Sequence, residues 1–227
     1  MTDRAPGPQR WLPRFVLLSA IWGSSFALIK IAVEAGVEPT WVALWRCLFG
    51  ALALIGVCVV RRAAFPRDRA VWGHAAVVAA LSNALPFTLF AFGENHVSSV
   101  VAGVWNATTP LTTLLFVLAL VPQEPATARR IAGLGLGFAG VLVVLGIWRG
   151  LEGGTVLGSF ACLGATTGYG AGFAYTRRYF SGRSEPAEVL TATQLTCASA
   201  ELGVAAFLVD GPPSWPGLPG TGALVVL

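Results

Sequence analysis

Seven stretches of the chain, each close to the roughly 20 apolar residues that an α-helix needs to cross hydrocarbon, follow one another with only short polar punctuation between them. They run over 15–33, 41–60, 71–92, 98–121, 131–148, 155–175 and 187–209, and an eighth begins near Gly220 and meets Leu227 after about two turns. In lipid every backbone N–H and C=O must be satisfied within the segment, so this pattern specifies an all-α integral membrane protein, a multi-span helical bundle. The rest of the chain cannot supply a water-facing domain. Charged residues make up 11% of it and apolar ones 55%, whereas a soluble domain is about one-quarter charged. The first stretch follows basic Arg4, Arg10 and Arg14 in the manner of a signal peptide. Its apolar run is too long for one, and further spans follow, so it reads as a retained helix.

The basic residues orient the bundle, because Lys and Arg are kept on the cytoplasmic side. Arg4, Arg10 and Arg14 precede the first stretch; Arg61, Arg62, Arg67 and Arg69 follow the second; Arg129 and Arg130 follow the fourth; Arg177, Arg178 and Arg183 follow the sixth. The opposite side holds Lys30 and Arg149. The expectation is a multi-pass protein of the cytoplasmic (inner) membrane with residues 1–14 as a cytoplasmic N-terminal segment. The net charge of +4 is thereby a topology signal, and nucleic acid is excluded as a partner, since that would need one clustered basic face.

The chain also repeats itself. At one constant offset Gly23 meets Gly170, Phe26 meets Phe173, Ala27 meets Ala174, Glu38 meets Glu185, Pro39 meets Pro186 and Leu48 meets Leu195, while Trp22 meets Tyr169 and Lys30 meets Arg177. Five stretches then make one repeat. An odd number sends the sixth stretch into the membrane opposite to the first, as the Arg pairs also require, which gives inverted-topology repeats.

Trp22-Gly23-Ser24-Ser25-Phe26, the Leu44-Trp45-Arg46 step, Asn106 to Leu111 with its mid-helix Pro110, Glu124 after the fourth stretch, and Gly133 to Val144 occur in that order. Together, from about Trp11 to the end, they resemble the EamA-type branch of the drug/metabolite transporter superfamily. The resemblance implies a ten-helix bundle of two five-helix repeats around a central substrate path. Residues 15–148 would be the first repeat and 155–227 the second, truncated in its third helix, where Gly220 corresponds to Gly73.

Polar groups in hydrocarbon are costly, about 2.5–3.5 kcal/mol for a central charge on insertion scales, so the few present normally face a cavity or a partner. Arg46 lies deep enough in the second stretch to line an anion path and shallow enough to snorkel. Ser24 and Ser25 beside Gly23 loosen the first stretch locally, and Trp22 with its repeat equivalent Tyr169 forms an aromatic pair suited to framing a substrate or to packing. Asn83 before Pro86, and Asn106 before Pro110, mark helix kinks, because proline cannot donate its helix hydrogen bond. Asn106, Thr109 and Thr113 share one face, and Gln194 adds an amide in the seventh stretch. Substrate and helix–helix bonding both account for these groups. Glu201, read as the sole carboxylate well inside a stretch, is the candidate for ion coupling, since low dielectric lets a carboxylate exchange its charge for a proton; water at the outer third of the membrane is its plainer setting.

Cys47, Cys58, Cys162 and Cys197 all lie in apolar stretches without metal-ligand spacing and read as small buried hydrophobes, so neither a metal nor a disulfide is expected. His74 and His96 are too far apart to share a ligand and read as interfacial. Gly135-Leu136-Gly137-Phe138-Ala139-Gly140 spells a dinucleotide fingerprint, yet no βαβ unit surrounds it. Gly133 with Gly137, like Gly164, Gly168 and Gly172, reads instead as a small face for close helix approach. No cofactor is called for. The function expected is a secondary transporter, by preference an exporter, moving a small organic metabolite or drug by alternating access on an ion gradient, since no ATP-binding sequence is present. An integral-membrane enzyme would need a nucleophile with its base, a paired carboxylate site or a metal cluster. A non-transporting fragment or structural membrane protein is the remaining alternative. Monomer and homodimer are both compatible with the sequence.

Overall fold

The computed structural model describes residues 8–120, 127–146 and 153–213. Among them all regular structure is helical: α1 (Pro8–Glu34), α2 (Pro39–Val60), α3 (Arg69–Ala79), a π-helical turn (Ala80–Ala84), α4 (Leu85–Glu94), α5 (Ser99–Asn106), α6 (Thr109–Leu120), α7 (Ala128–Leu145), α8 (Gly153–Phe180) and α9 (Ala187–Val209). α3 to α4 form one continuous span, and α5 with α6 another. Arg4, Glu124, Trp148, Arg149 and the eighth stretch from Gly220 lie outside the described residues.

Local signals set the helix ends. Asp68 accepts from Ala70 N at 2.9 Å before α3, Ser98 from Val101 N at 3.3 Å before α5 and Thr127 from Arg130 N at 3.4 Å before α7, each side-chain oxygen meeting a first-turn backbone donor that lies beyond the reach of the helix's own i to i−4 bonds. Gly146 ends α7 in the left-handed region, at φ 62°. Pro86 falls just after the π turn, which widens the helix where the proline ring would crowd the preceding turn. Pro110 follows the break at Ala107 and Thr108 that divides α5 from α6.

Six of these spans are long and apolar enough to cross a bilayer, so this is a multi-pass membrane protein. The stretch 155–175, expected as a seventh, is a 28-residue helix of sufficient length, but it falls short in apolar character. Its position explains the difference. α8 lies between α4, α5 and α6, and Cys162, Ala165, Thr166, Tyr169 and Ala174 on it are buried, so protein rather than lipid surrounds much of its surface. Close approach makes this possible. A Cβ on Gly93 would come within 2.7 Å of Cys162 Sγ, and one on Gly170 within 2.6 Å of the Thr112 carbonyl carbon. Across that contact Thr112 Oγ1 donates to the Thr166 carbonyl at 2.7 Å and Thr108 Oγ1 to Thr166 Oγ1 at 3.1 Å.

The second large contact is between α2 and α9, which run antiparallel. Thr40 at the start of α2 donates to the Asp210 carboxylate just beyond α9, and Arg61 at the other end pairs with Glu188 at 2.8 Å. Between these ties Ala43, Cys47, Ala198, Leu202 and Ala206 close into one apolar cluster. α1 and α7 are peripheral by contrast: α1 exposes Phe15, Leu17, Leu18, Ile21 and Trp22, and α7 buries none of its side chains.

Candidate functional site

A cavity of about 1070 Å³ opens between α1, α5, α6, α7 and α8. Phe15, Ser19 and Trp22 line it from α1, Asn106 from α5, Thr109, Pro110, Thr113, Leu114 and Val117 from α6, Arg130 from α7, and Tyr169, Phe173 and Arg177 from α8. The spacing of Asn106, Thr109 and Thr113 delivers one polar face to it. Thr109 Oγ1 donates to the Asn106 carbonyl at 2.7 Å, and Thr113 Oγ1 to the Thr109 carbonyl at 2.7 Å. Thr109 Oγ1 also reaches Asn106 Oδ1 at 3.5 Å, which leaves the Asn106 side-chain NH2 to donate into the cavity. Thr108 and Thr112, on the adjoining flank of the same span, hold it against α8.

Beyond Trp22 and Tyr169 lies a smaller pocket of about 200 Å³, walled by Ile21, Trp22, Ser25, Phe26, Ile29, Arg46, Phe87, Phe90 and Tyr169. The two aromatic residues that the repeat pairs with each other therefore share both spaces and stand between them. Tyr169 is buried and stacks on Phe173 at 5.8 Å, whereas Trp22 is half exposed. Arg46 forms the polar end of the pocket. Its Nη2 donates to Ser25 Oγ at 2.9 Å, and its guanidinium carbon lies 4.2 Å above the centre of the Phe87 ring, a cation–π contact. A guanidinium carries five N–H donors, so most of this fork remains available to an anionic group. Arg46 and Ser25 also border a third space of about 290 Å³ with Ser24, whose hydroxyl bonds back to the Ile21 carbonyl.

The other sequence candidates stand apart. Asn83 is half-buried in the π turn, and Gln194 is half-buried on α9; neither lines the spaces described above. Glu201 is half-buried on α9 beside Cys47 and Cys197, with Oε2 buried and unpartnered. A fully buried carboxylate stands elsewhere, at the end of a span. Glu94, two residues past the expected end of the third stretch, is the last residue of α4; its side chain is 0% exposed and neither oxygen has a hydrogen-bond partner. The signal that points to it is the spacing of Phe87, Phe90 and Glu94 by three and four, which continues one helix face past the point where hydropathy falls. His74 bonds Tyr175 Oη at 2.8 Å and stacks on Tyr179, while His96 bonds the Phe92 carbonyl. Among the described residues no group of His, Cys, Asp and Glu is arranged to hold a metal ion.

Residues 10–146 match the EamA-like transporter family. Protein PagO of Salmonella typhimurium is 29% identical over 133 residues, 58% of this chain and 42% of that protein. An uncharacterized transporter in the trpA 3′ region of Buchnera aphidicola subsp. Schlechtendalia chinensis is 28% identical over 102 residues, 44% of this chain and 33% of its own length. The matched part is thus less than half of either relative. A solved crystal structure shares the fold at a TM-score of 0.58 and 21% identity, over 92% of this chain and 72% of that one.

Proposed function

From the premise that this chain belongs to the EamA-like transporter family, we propose that it is a secondary transporter exporting a small organic solute across the cytoplasmic membrane. Alternating access uses a path from the large cavity, past the Trp22–Tyr169 pair, to Arg46. The observation that carries this reading is the convergence of Trp22, Ser25, Arg46, Asn106, Thr109 and Tyr169, from five helices, on two adjoining spaces. Apolar walls with a few placed polar groups are what a solute site requires. Further support comes from α2 and α9, the second helices of the two repeats, which pack antiparallel and are tied at both ends, as two-fold-related elements about an axis in the membrane plane would be. Residues 15–148 are on this reading one repeat and 155–227 part of the next, and an ion gradient supplies the energy.

The test is the medium of cells producing the chain, profiled for small metabolites against cells producing Arg46→Gln at equal membrane level. The expected result is a several-fold external rise in one solute or a few, abolished by the substitution. An unchanged profile with the native sequence overturns the proposal. Orientation is checked by single cysteines in a cysteine-free background: Asn95→Cys should react with an impermeant thiol reagent from outside, and Arg67→Cys only after the membrane is opened.

A further inference from the structure

Glu94 combines complete burial with two unbonded carboxylate oxygens. Its nearest cation is committed elsewhere: Lys30 Nζ donates to the Glu94 carbonyl at 2.5 Å and the Val97 carbonyl at 3.3 Å, holding the end of α4, and pairs with Glu34 at 3.4 Å. The other cation in whose field Glu94 lies is Arg46. Among the described residues no carboxylate is within ion-pair distance of Arg46, whose side-chain contacts are Ser25 Oγ and the Phe87 ring. Phe87 and Phe90 wall the Arg46 pocket, and Glu94 follows them on the same face of α4. The remaining titratable groups around it are Glu34 on α1, Cys47 on α2, Cys162 and Tyr169 on α8, and His96 in the turn that follows. α5 brings none.

A buried acid with no bond, at the end of the α4 face that walls the pocket, and a half-buried base with no counter-ion, at the pocket's polar end, form a pair that a single anion divides. We infer that Glu94 and the carboxylate of a small organic acid compete for Arg46, so that the site loads one substrate anion together with one proton. When the anion lies on Arg46, Glu94 holds a proton taken from water and is neutral in its apolar surroundings. When the anion leaves, Glu94 releases that proton to water and its carboxylate takes the vacated guanidinium. No covalent bond other than O–H changes, and anion plus proton carry no net charge, so the proton gradient acts on the loaded cargo and the membrane potential does not. The inference rests on the transporter reading for its purpose but concerns binding alone.

It is tested by calorimetric titration of the purified full chain in lipid nanodiscs with benzoate, and with benzyl alcohol as the uncharged counterpart, across a pH series. The expected result is preferential binding of benzoate, weakening about tenfold per pH unit at the alkaline end, the slope of one linked proton. Glu94→Gln should bind benzoate with no such slope, and Arg46→Gln should bind it no better than benzyl alcohol. Arg46→Lys, which keeps the cation, should retain both the preference and the slope, and decides the matter if Arg46→Gln does not fold. A native slope in Glu94→Gln, equal binding of the two probes by the native chain, or no benzoate binding at all overturns the inference. Linked binding without any exported solute overturns the transporter reading instead.

Discussion

α7 and α8 are both glycine-rich and both spell small-residue spacings, yet they occupy opposite kinds of place. On α8 a Cβ at Gly158 would come within 2.9 Å of the Gly93 carbonyl oxygen, at Gly170 within 2.6 Å of the Thr112 backbone, and at Gly172 into the Ser82 side chain. On α7 a Cβ at Gly133, Gly135 or Gly140 would meet nothing within 4 Å, and Gly137 alone touches a neighbour, the flexible Leu111 side chain at 2.9 Å. The close-approach reading therefore holds for Gly168 and Gly172 and fails for Gly133. Small residues allow contact without requiring it, and what decides is whether a second helix of matching shape arrives. α8 has α4 and α6 on either side, each with small or hydroxyl residues at the crossing, whereas α7 has only light contacts with α5 and α6.

The largest effect should come from filling the α6–α8 crossing. Gly170→Leu drives a side chain into the Thr112 backbone, and because backbone cannot give as a side chain can, the loss should reach or exceed about 3 kcal/mol. Thermal unfolding in nanodiscs should show no cooperative transition at the native temperature; a native-like transition would mean that the tight crossing is not maintained in the membrane. Second, the two aromatics shared by both spaces should separate. Tyr169→Ala should cost about 3–5 kcal/mol by leaving a void in the core, while Trp22→Ala, half exposed, should cost less than about 1 kcal/mol and reduce solute export nonetheless. Equal melting of the two variants would erase the distinction between a packed centre and an open wall.

Third, Thr166→Val removes the hydroxyl that meets Thr108 but leaves the backbone carbonyl that Thr112 uses. About 0.6–2 kcal/mol is expected for one such interhelical bond, read as the shift in unfolding midpoint. Smallest of all, Gly133→Ala on α7 should be neutral or stabilising by up to about 1 kcal/mol, the helix-propensity gain where nothing is crowded. A marked loss there would restore the close-approach reading by revealing a partner for that face.

The spans and their order were legible because both rest on a local property, apolar length. Glu94 was not, because hydropathy draws the third stretch to a close at Phe92, where Glu-Asn-His begins, while the helix itself continues to Glu94. The reduced apolar character of α8 carries the same lesson. Hydropathy registers exposure to lipid, and a helix enclosed by its neighbours is released from that demand. Arg46 and Ser25 could be nominated separately, but their bond needed α1 and α2 to be laid side by side.

The π turn at Ala80–Ala84 carries an evolutionary corollary. It amounts to one residue more than a plain α-helix would hold between α3 and α4. Deleting a single codon there would remove that surplus and let a plain α-helix run through, with Phe87 and Phe90 kept beside Arg46. The same deletion within α3 or α4 has no surplus to draw on and would rotate everything beyond it by about 100° and draw it back about 1.5 Å. Phe87 and Phe90 would then leave the wall they share with Arg46 in one genetic event, with no side chain in that wall altered. The π turn is thus a place where this span can change length without moving that wall.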